Sequence, residues 1–172
     1  MRLFNFVEGA WPRKGGVGIG CVPQIGMSLA RQGVEVVLVS GGPPTPGYES
    51  LVQPDVAGAL SQKHGRGSFG ILSHWSWGRY AFSPSIFQRV GQAAAQADML
   101  ALHSLYSFPV LAAYTLARIH RKPYVLWPHG VLSSFQRGVG RHKKWLYDRL
   151  IARRILQGAS AVICTMESAT AG

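Results

Sequence analysis

Val34-Glu35-Val36-Val37-Leu38-Val39-Ser40 is a strongly β-branched run closed by Gly41-Gly42-Pro43-Pro44, and it constrains the fold more than any other segment. It reads as a strand. Ahead of it lie a short apolar run, Leu3–Val7, and the glycine-rich stretch Gly15-Gly16-Val17-Gly18-Ile19-Gly20. Val22, Ile25, Leu29 and Ala30 then recur at helical spacing, and Gly33 reads as the helix C-cap. Strand, glycine turn, helix and strand make one βαβ unit, which implies parallel pairing through a right-handed crossover.

The alternation continues along the chain. Positions 41 to 67 are polar and punctuated by Pro and Gly, and read as a long loop with a short helix near Val56–Leu60. Gly70–Leu72 is a brief strand. Ser83 is placed to cap a helix over Pro84–Ala97, with Pro84 at its first position. Asp98–Leu102 is a third buried strand, Phe108–Ile119 the helix after it, and Pro123–Trp127 another strand. Gly138–Gly140 break the chain before a long helix, Arg141–Leu156, which stops at Gly158; Ala161–Thr165 is the last strand. The predicted class is α/β, an open parallel sheet with helices on both faces, Rossmann-like.

The length of 172 residues suits one domain. A content of 47% hydrophobic and 15% charged residues excludes disorder along the whole chain. Eighteen Lys plus Arg stand against seven Asp plus Glu, a net charge of +11. Such a surface draws polyanions, whether nucleic acid, an anionic membrane face or phosphorylated substrates. Cys21 and Cys164 have no metal-ligand spacing and make no disulfide scaffold, so a reducing cytosolic compartment is expected. Both lie in apolar patterns and read as buried thiols. The amino terminus lacks the long apolar stretch of a signal peptide, and no run approaches a membrane span. A soluble or at most peripheral chain is expected.

Open parallel sheets bind ligands at the carboxyl ends of their strands. The glycine turn after the first strand, His103-Ser104 after the third, His129-Gly130 after the next and Glu167-Ser168 after the last all fall there. Gly15-Gly16-Val17-Gly18 at a helix start is either a phosphate cradle or a tight turn without a ligand. It matches neither a Walker loop nor the dinucleotide fingerprint. His129 is suited to orienting a hydroxyl or donating to a phosphate oxygen; the bland alternative is a local backbone hydrogen bond. His103 faces the same choice.

Between Arg137 and Arg154 stand seven basic residues, including Arg141, Lys143, Lys144, Arg149, Arg153 and Arg154, against the single acid Asp148. With Trp145, Leu146, Tyr147, Leu150, Ile151 and Ile155 as its apolar side, this is a basic amphipathic helix. Such helices lie on anionic membranes or dock on a core with a solvated charged face. Trp75, Trp77 and Tyr80 suit an interfacial anchor, a sugar platform or core packing.

In their order and spacing, these segments resemble the amino-terminal domain of family 4 glycosyltransferases, which have the GT-B architecture. The resemblance runs through Gly15-Gly16-Val17-Gly18, Leu29–Val36, Asp98–His103, Lys122–Gly130 and Gly158–Thr165. It implies transfer of a sugar from a nucleotide-diphosphate sugar to a glycan or lipid-linked acceptor, with retention and no cofactor or essential metal. It gives the amino-terminal domain, residues 1–172 here, the acceptor side. The glycine turn then approaches the donor phosphates, and His129 sits near the reacting centre. A carboxy-terminal domain, in cis or trans, would supply a basic pair and a Glu-x7-Glu motif for the donor; without it no useful turnover is expected. Two rivals remain. One is a non-catalytic basic module on a membrane or polyanion; no nucleic-acid motif supports the latter specifically. The other, an oxidoreductase, is disfavoured because no acid follows the second strand as a ribose ligand would.

Overall fold

The structure is a computed structural model and describes residues 1–8, 21–42, 47–78, 80–129, 145 and 147–164. Among them one seven-stranded sheet forms, in the order β3-β4-β2-β1-β5-β6-β7. The strands are β1 (Arg2–Val7), β2 (Glu35–Gly41), β3 (Lys63–His64), β4 (Gly67–His74), β5 (Met99–His103), β6 (Tyr124–Trp127) and β7 (Ala161–Val162). Neighbours are parallel except in the short β3–β4 hairpin. The expected open sheet is present, with one antiparallel edge.

The helices are α1 (Cys21–Arg31), α2 (Val56–Ser61), α3 (Ser85–Ala94), α4 (Phe108–His120) and α5 (Arg153–Gly158). A π turn at Asp148–Ala152 leads directly into α5. Strand side chains alternate between the faces. Val37, Val39, Phe4, Phe6, Leu100, Leu102 and Leu126 enter the larger core with residues of α3, α4 and α5. Val36, Leu38, Phe69 and Ile71 form a second core with Val22 and Ala30 of α1. Helices therefore cover both faces.

Three glycines set how closely these layers approach. A Cβ on Gly26 would lie 2.4 Å from Phe69 Cε2. Helix α1 thus presents Val22, Pro23, Gly26 and Ala30 to the sheet and leaves Ile25 and Leu29 half-buried, a rotation from the predicted stripe. A Cβ on Gly70 would lie 2.4 Å from Ala59 Cα, so α2 rests directly on β4. Gly158 is the last residue of α5 rather than a stop beyond it. Its missing side chain makes room for Tyr124, whose hydroxyl donates to the Ile155 carbonyl at 2.6 Å.

The structure departs from the sequence reading elsewhere too. Strand β4 is eight residues long, and β3 pairs with it across a turn at Gly65 within the supposed loop. Helix α3 is shorter than predicted and Ser83 does not cap it; the Ser83 and Ser85 hydroxyls bond each other at 2.9 Å. Of the long basic helix, Trp145 and Tyr147 are helical and lead into the π turn, while positions 141–144 lie outside the described residues. Trp145 and Leu150 are exposed rather than on a buried side; Leu150 lies within the π turn, whose wider pitch departs from the 3.6-residue spacing of the predicted helix. The last strand is only two residues, both exposed, and both cysteines are exposed. Periodicity at a sheet edge does not distinguish a buried apolar run from an exposed one.

Gly70→Ala should lower stability by about 1–3 kcal/mol in urea melts, since the clash is with backbone that cannot move aside. Gly91→Ala in α3 meets only Leu116 Cδ2, at 3.9 Å. It should instead raise stability by about 0.5–1 kcal/mol through helix propensity.

Candidate functional site

The register of the central strands brings three polar side chains into a row. Asn5 of β1 pairs with Ala101 of β5, and His103, two residues on, pairs with Trp127 of β6. Alternation sends Asn5, Ala101, His103 and Trp127 to the face opposite the larger core. Asn5 and His103 are buried there, 3% and 2% exposed. Buried polar groups require partners, and these two have each other. His103 Nε2 lies 3.0 Å from Asn5 Oδ1, and His103 Nδ1 lies 2.8 Å from His129 Nε2.

The row fixes the tautomers. With its oxygen toward the ring, Asn5 accepts from His103 Nε2–H, which leaves His103 Nδ1 as an acceptor. His129 Nε2–H donates to that nitrogen. His129 Nδ1 then carries a lone pair and has no partner among the described residues. Trp127 completes the wall. Its ring lies near-parallel to His129 at 5.1 Å and to His103 at 5.7 Å, and its buried Nε1 has no hydrogen-bond partner among the described residues.

Burial holds both imidazoles neutral. Desolvation, with a smaller repulsion from His129, lowers the His103 pKa from 6.5 to about 3. Desolvation alone lowers His129 to about 4. The backbone here is strained as well. Ser104 (φ 79°) and His129 (φ 51°) are left-handed at the ends of adjacent strands, and Ser104 N–H donates to the Trp127 carbonyl at 2.9 Å. Such conformations cost about 1–3 kcal/mol each and concentrate at functional sites.

His103, Ser104 and His129 thus gather at one rim. Gly15, Gly16, Val17, Gly18, Gly130, Glu167 and Ser168 lie outside the described residues, as do Arg141, Lys143 and Lys144. Arg149, Arg153 and Arg154 are exposed on the π turn and α5, which pack on the opposite face. Two residues of this rim escaped the sequence reading. Asn5 had a signal, as the one polar residue inside an apolar strand. His74 ends β4 at the same rim, 3% exposed with Nε2 unpartnered among the described residues. Desolvation is the main cause that lowers its pKa to about 4.

A family model for the glycosyl transferase 4-like domain matches residues 16–171. The chain belongs to that family. Comparison with curated proteins gives no match. Among solved structures, this glycosyl transferase 4-like domain resembles the crystal structure of Anabaena Alr3699/HepE in complex with UDP and glucose. The TM-score is 0.57 at 18% identity, covering 98% of this chain and 39% of that one. At that identity the likeness speaks to the fold, one half of a GT-B architecture.

NMR titration of the imidazole Cε1 protons should show His129 and His103 neutral until the pH approaches about 4 and about 3. From pH 6.5 downward the unfolded chain binds protons that the folded rings refuse. Stability should therefore be unaffected above that value and fall as pH drops toward about 3. His103→Phe should cost about 1–3 kcal/mol by stranding the Asn5 amide.

Proposed function

We propose that residues 1–172 form the acceptor-side half of a retaining glycosyltransferase, which moves a hexosyl group from a nucleotide-diphosphate sugar to a glycan or lipid-linked acceptor. The observation that carries this reading is the Asn5–His103–His129 row at the carboxyl rim of a family sheet. His129 is the catalytic-centre residue: its Nδ1, unpartnered among the described residues, accepts from a hydroxyl and orients it against the reacting carbon. A neutral imidazole suits that task, since a protonated one has no lone pair to offer. Gly15, Gly16, Val17 and Gly18 approach the donor phosphates, and Gly130, Ser104, Glu167 and Ser168 line the same crevice. The solved relative holds UDP and glucose, which supports a nucleotide-sugar donor here.

Departure of a diphosphate requires charge stabilisation in a closed, water-poor cleft. Around His129 the described row offers neutral imidazoles instead. In this reading a carboxy-terminal domain, in cis or trans, supplies the cations, and the 172 residues alone do not turn over. No cofactor or metal enters the scheme. We place the protein in the cytoplasm, at the inner face of the membrane. Two free cysteines support a reducing compartment, and no described helix is long and apolar enough to cross a membrane.

Joined to a carboxy-terminal donor domain, the chain should transfer sugar from one of a panel of nucleotide-diphosphate sugars, with the product's anomeric configuration retained by NMR. His129→Ala should lower kcat/KM by about 100- to 10,000-fold, far more than the loss of about 1–3 kcal/mol of stability from stranding the buried His103 Nδ1 accounts for. Undiminished transfer by that variant, or no transfer with any donor, would refute the assignment.

A further inference from the structure

Acidic and aromatic residues are unevenly placed in this chain. No Asp or Glu occurs between Asp55 and Asp98, or between Asp98 and Asp148. Asp98 itself sits at the far rim, where it accepts from the Arg2 backbone at 2.7 Å. The segment from β4 to the first turn of α4 therefore brings no carboxylate to the carboxyl rim. It brings rings instead.

Beyond His74 the chain folds into a tight hairpin in which Trp77 and Phe82 exchange two backbone hydrogen bonds of 2.9 Å. Gly78 and Ala81 turn it with positive φ, and Phe108 N–H of α4 pins it through the Tyr80 carbonyl at 2.8 Å. Trp75, Trp77, Tyr80 and Phe82 are 65, 53, 55 and 45% exposed. Three of these rings adjoin one another and Phe108: Trp75 meets Trp77 edge-on at 4.1 Å, Trp77 faces Phe82 at 6.4 Å, and Phe82 meets Phe108 at 4.7 Å.

The ridge does not end there. Two residues before Phe108, Tyr106 meets Tyr147 at 5.6 Å, and the Tyr147 hydroxyl donates to the Leu105 carbonyl at 3.0 Å. Two residues before Tyr147, Trp145 is 61% exposed, with the Arg149 guanidinium 5.8 Å from its ring centroid. Arg149, Arg153 and Arg154 are exposed and pair with no carboxylate among the described residues.

Scattered exposed rings are ordinary, but a cluster such as Trp75, Trp77, Tyr80 and Phe82 on one hairpin marks an interaction surface. The half-buried Phe108, Tyr106 and Tyr147 lead from it toward the exposed Trp145. Indole and phenol rings, apolar in body and polar at one edge, suit the headgroup zone of a bilayer. Unpaired arginines beside them suit anionic lipid. A glycan would instead want carboxylates for its hydroxyls; the hairpin and the first turn of α4 have none, and Asp148 beside Tyr147 is half-buried. We propose that the ridge from Trp75 to Arg154 docks the protein on an anionic bilayer surface, with the hairpin rings in the interface and the arginines on lipid phosphates. The hairpin after β4 and His129 after β6 share one rim, so docking holds the site within reach of a lipid-borne acceptor; that consequence rests on the transfer reading, whereas docking does not.

The test is co-sedimentation with vesicles of phosphatidylcholine alone or equimolar with phosphatidylglycerol, together with quenching of tryptophan by acyl-brominated lipid. The protein should bind the phosphatidylglycerol vesicles, less so at high salt, and be quenched. Trp75→Ala with Trp77→Ala should weaken binding about tenfold and remove most of the quenching. Arg149→Glu, Arg153→Glu and Arg154→Glu together should weaken it by a factor on the order of 100, with the circular dichroism of both variants unchanged. Equal partition onto both vesicle types, binding intact in either variant, or protection of the tryptophans by a soluble oligosaccharide in place of lipid would overturn the proposal. Absence of vesicle binding by the unaltered protein, with transfer to a soluble acceptor intact, would refute the ridge alone and leave the transfer reading standing.

Discussion

The parallel ladder that seats β1 between β2 and β5 is the constraint on which the rest of the molecule depends. All six residues of β1 pair with β2, and Leu3 to Phe6 also pair with β5. Parallel pairing leaves no choice about where strand ends fall, so Val7, Gly41, His74, His103 and Trp127 all terminate at one rim. The same ladder sets which side chains face each other. A slip of one residue would turn Asn5 to the opposite face and leave His103 buried without an acceptor.

Much of this was legible in the chain, for a reason that differs by region. The strands around β1 are short apolar runs between turn residues and helical patterns, so their existence followed from pattern, whereas their order in the sheet came only from the structure. His103 and His129 were found because topology forces residues after parallel strands to one rim. Their contact was not readable, because it depends on the left-handed turn at His129 and on an asparagine that looked like a mere interruption of an apolar strand. Near the sheet edges the pattern misled. β3 and the extra length of β4 were hidden by glycines, which lower strand propensity yet are needed where Ala59 and Arg31 press on the backbone. The exposed cysteines and Leu150 failed for the opposite reason, since an apolar residue need not be covered.

The distribution of charge is as informative as the fold. A net charge of +11 would suggest a cationic site, yet the side chains of the row itself, Asn5, His103 and His129, carry no formal charge at neutral pH. Recognition by such a row relies on the direction of hydrogen bonds and on ring stacking. The arginines are spent on the outer surface, where water and salt screen them. Separating the two functions lets the interior stay dry, which strengthens each hydrogen bond in it.

A row of hydrogen bonds also has a polarity, and here one amide sets it. Were Asn5 to turn over and offer its NH2 group to His103, each imidazole would have to pass its proton to the other nitrogen. The outermost atom of the row, His129 Nδ1, would change from taking a hydrogen bond to giving one. The chemical character of the cleft wall is thus written by a side chain two strands away that no ligand needs to touch.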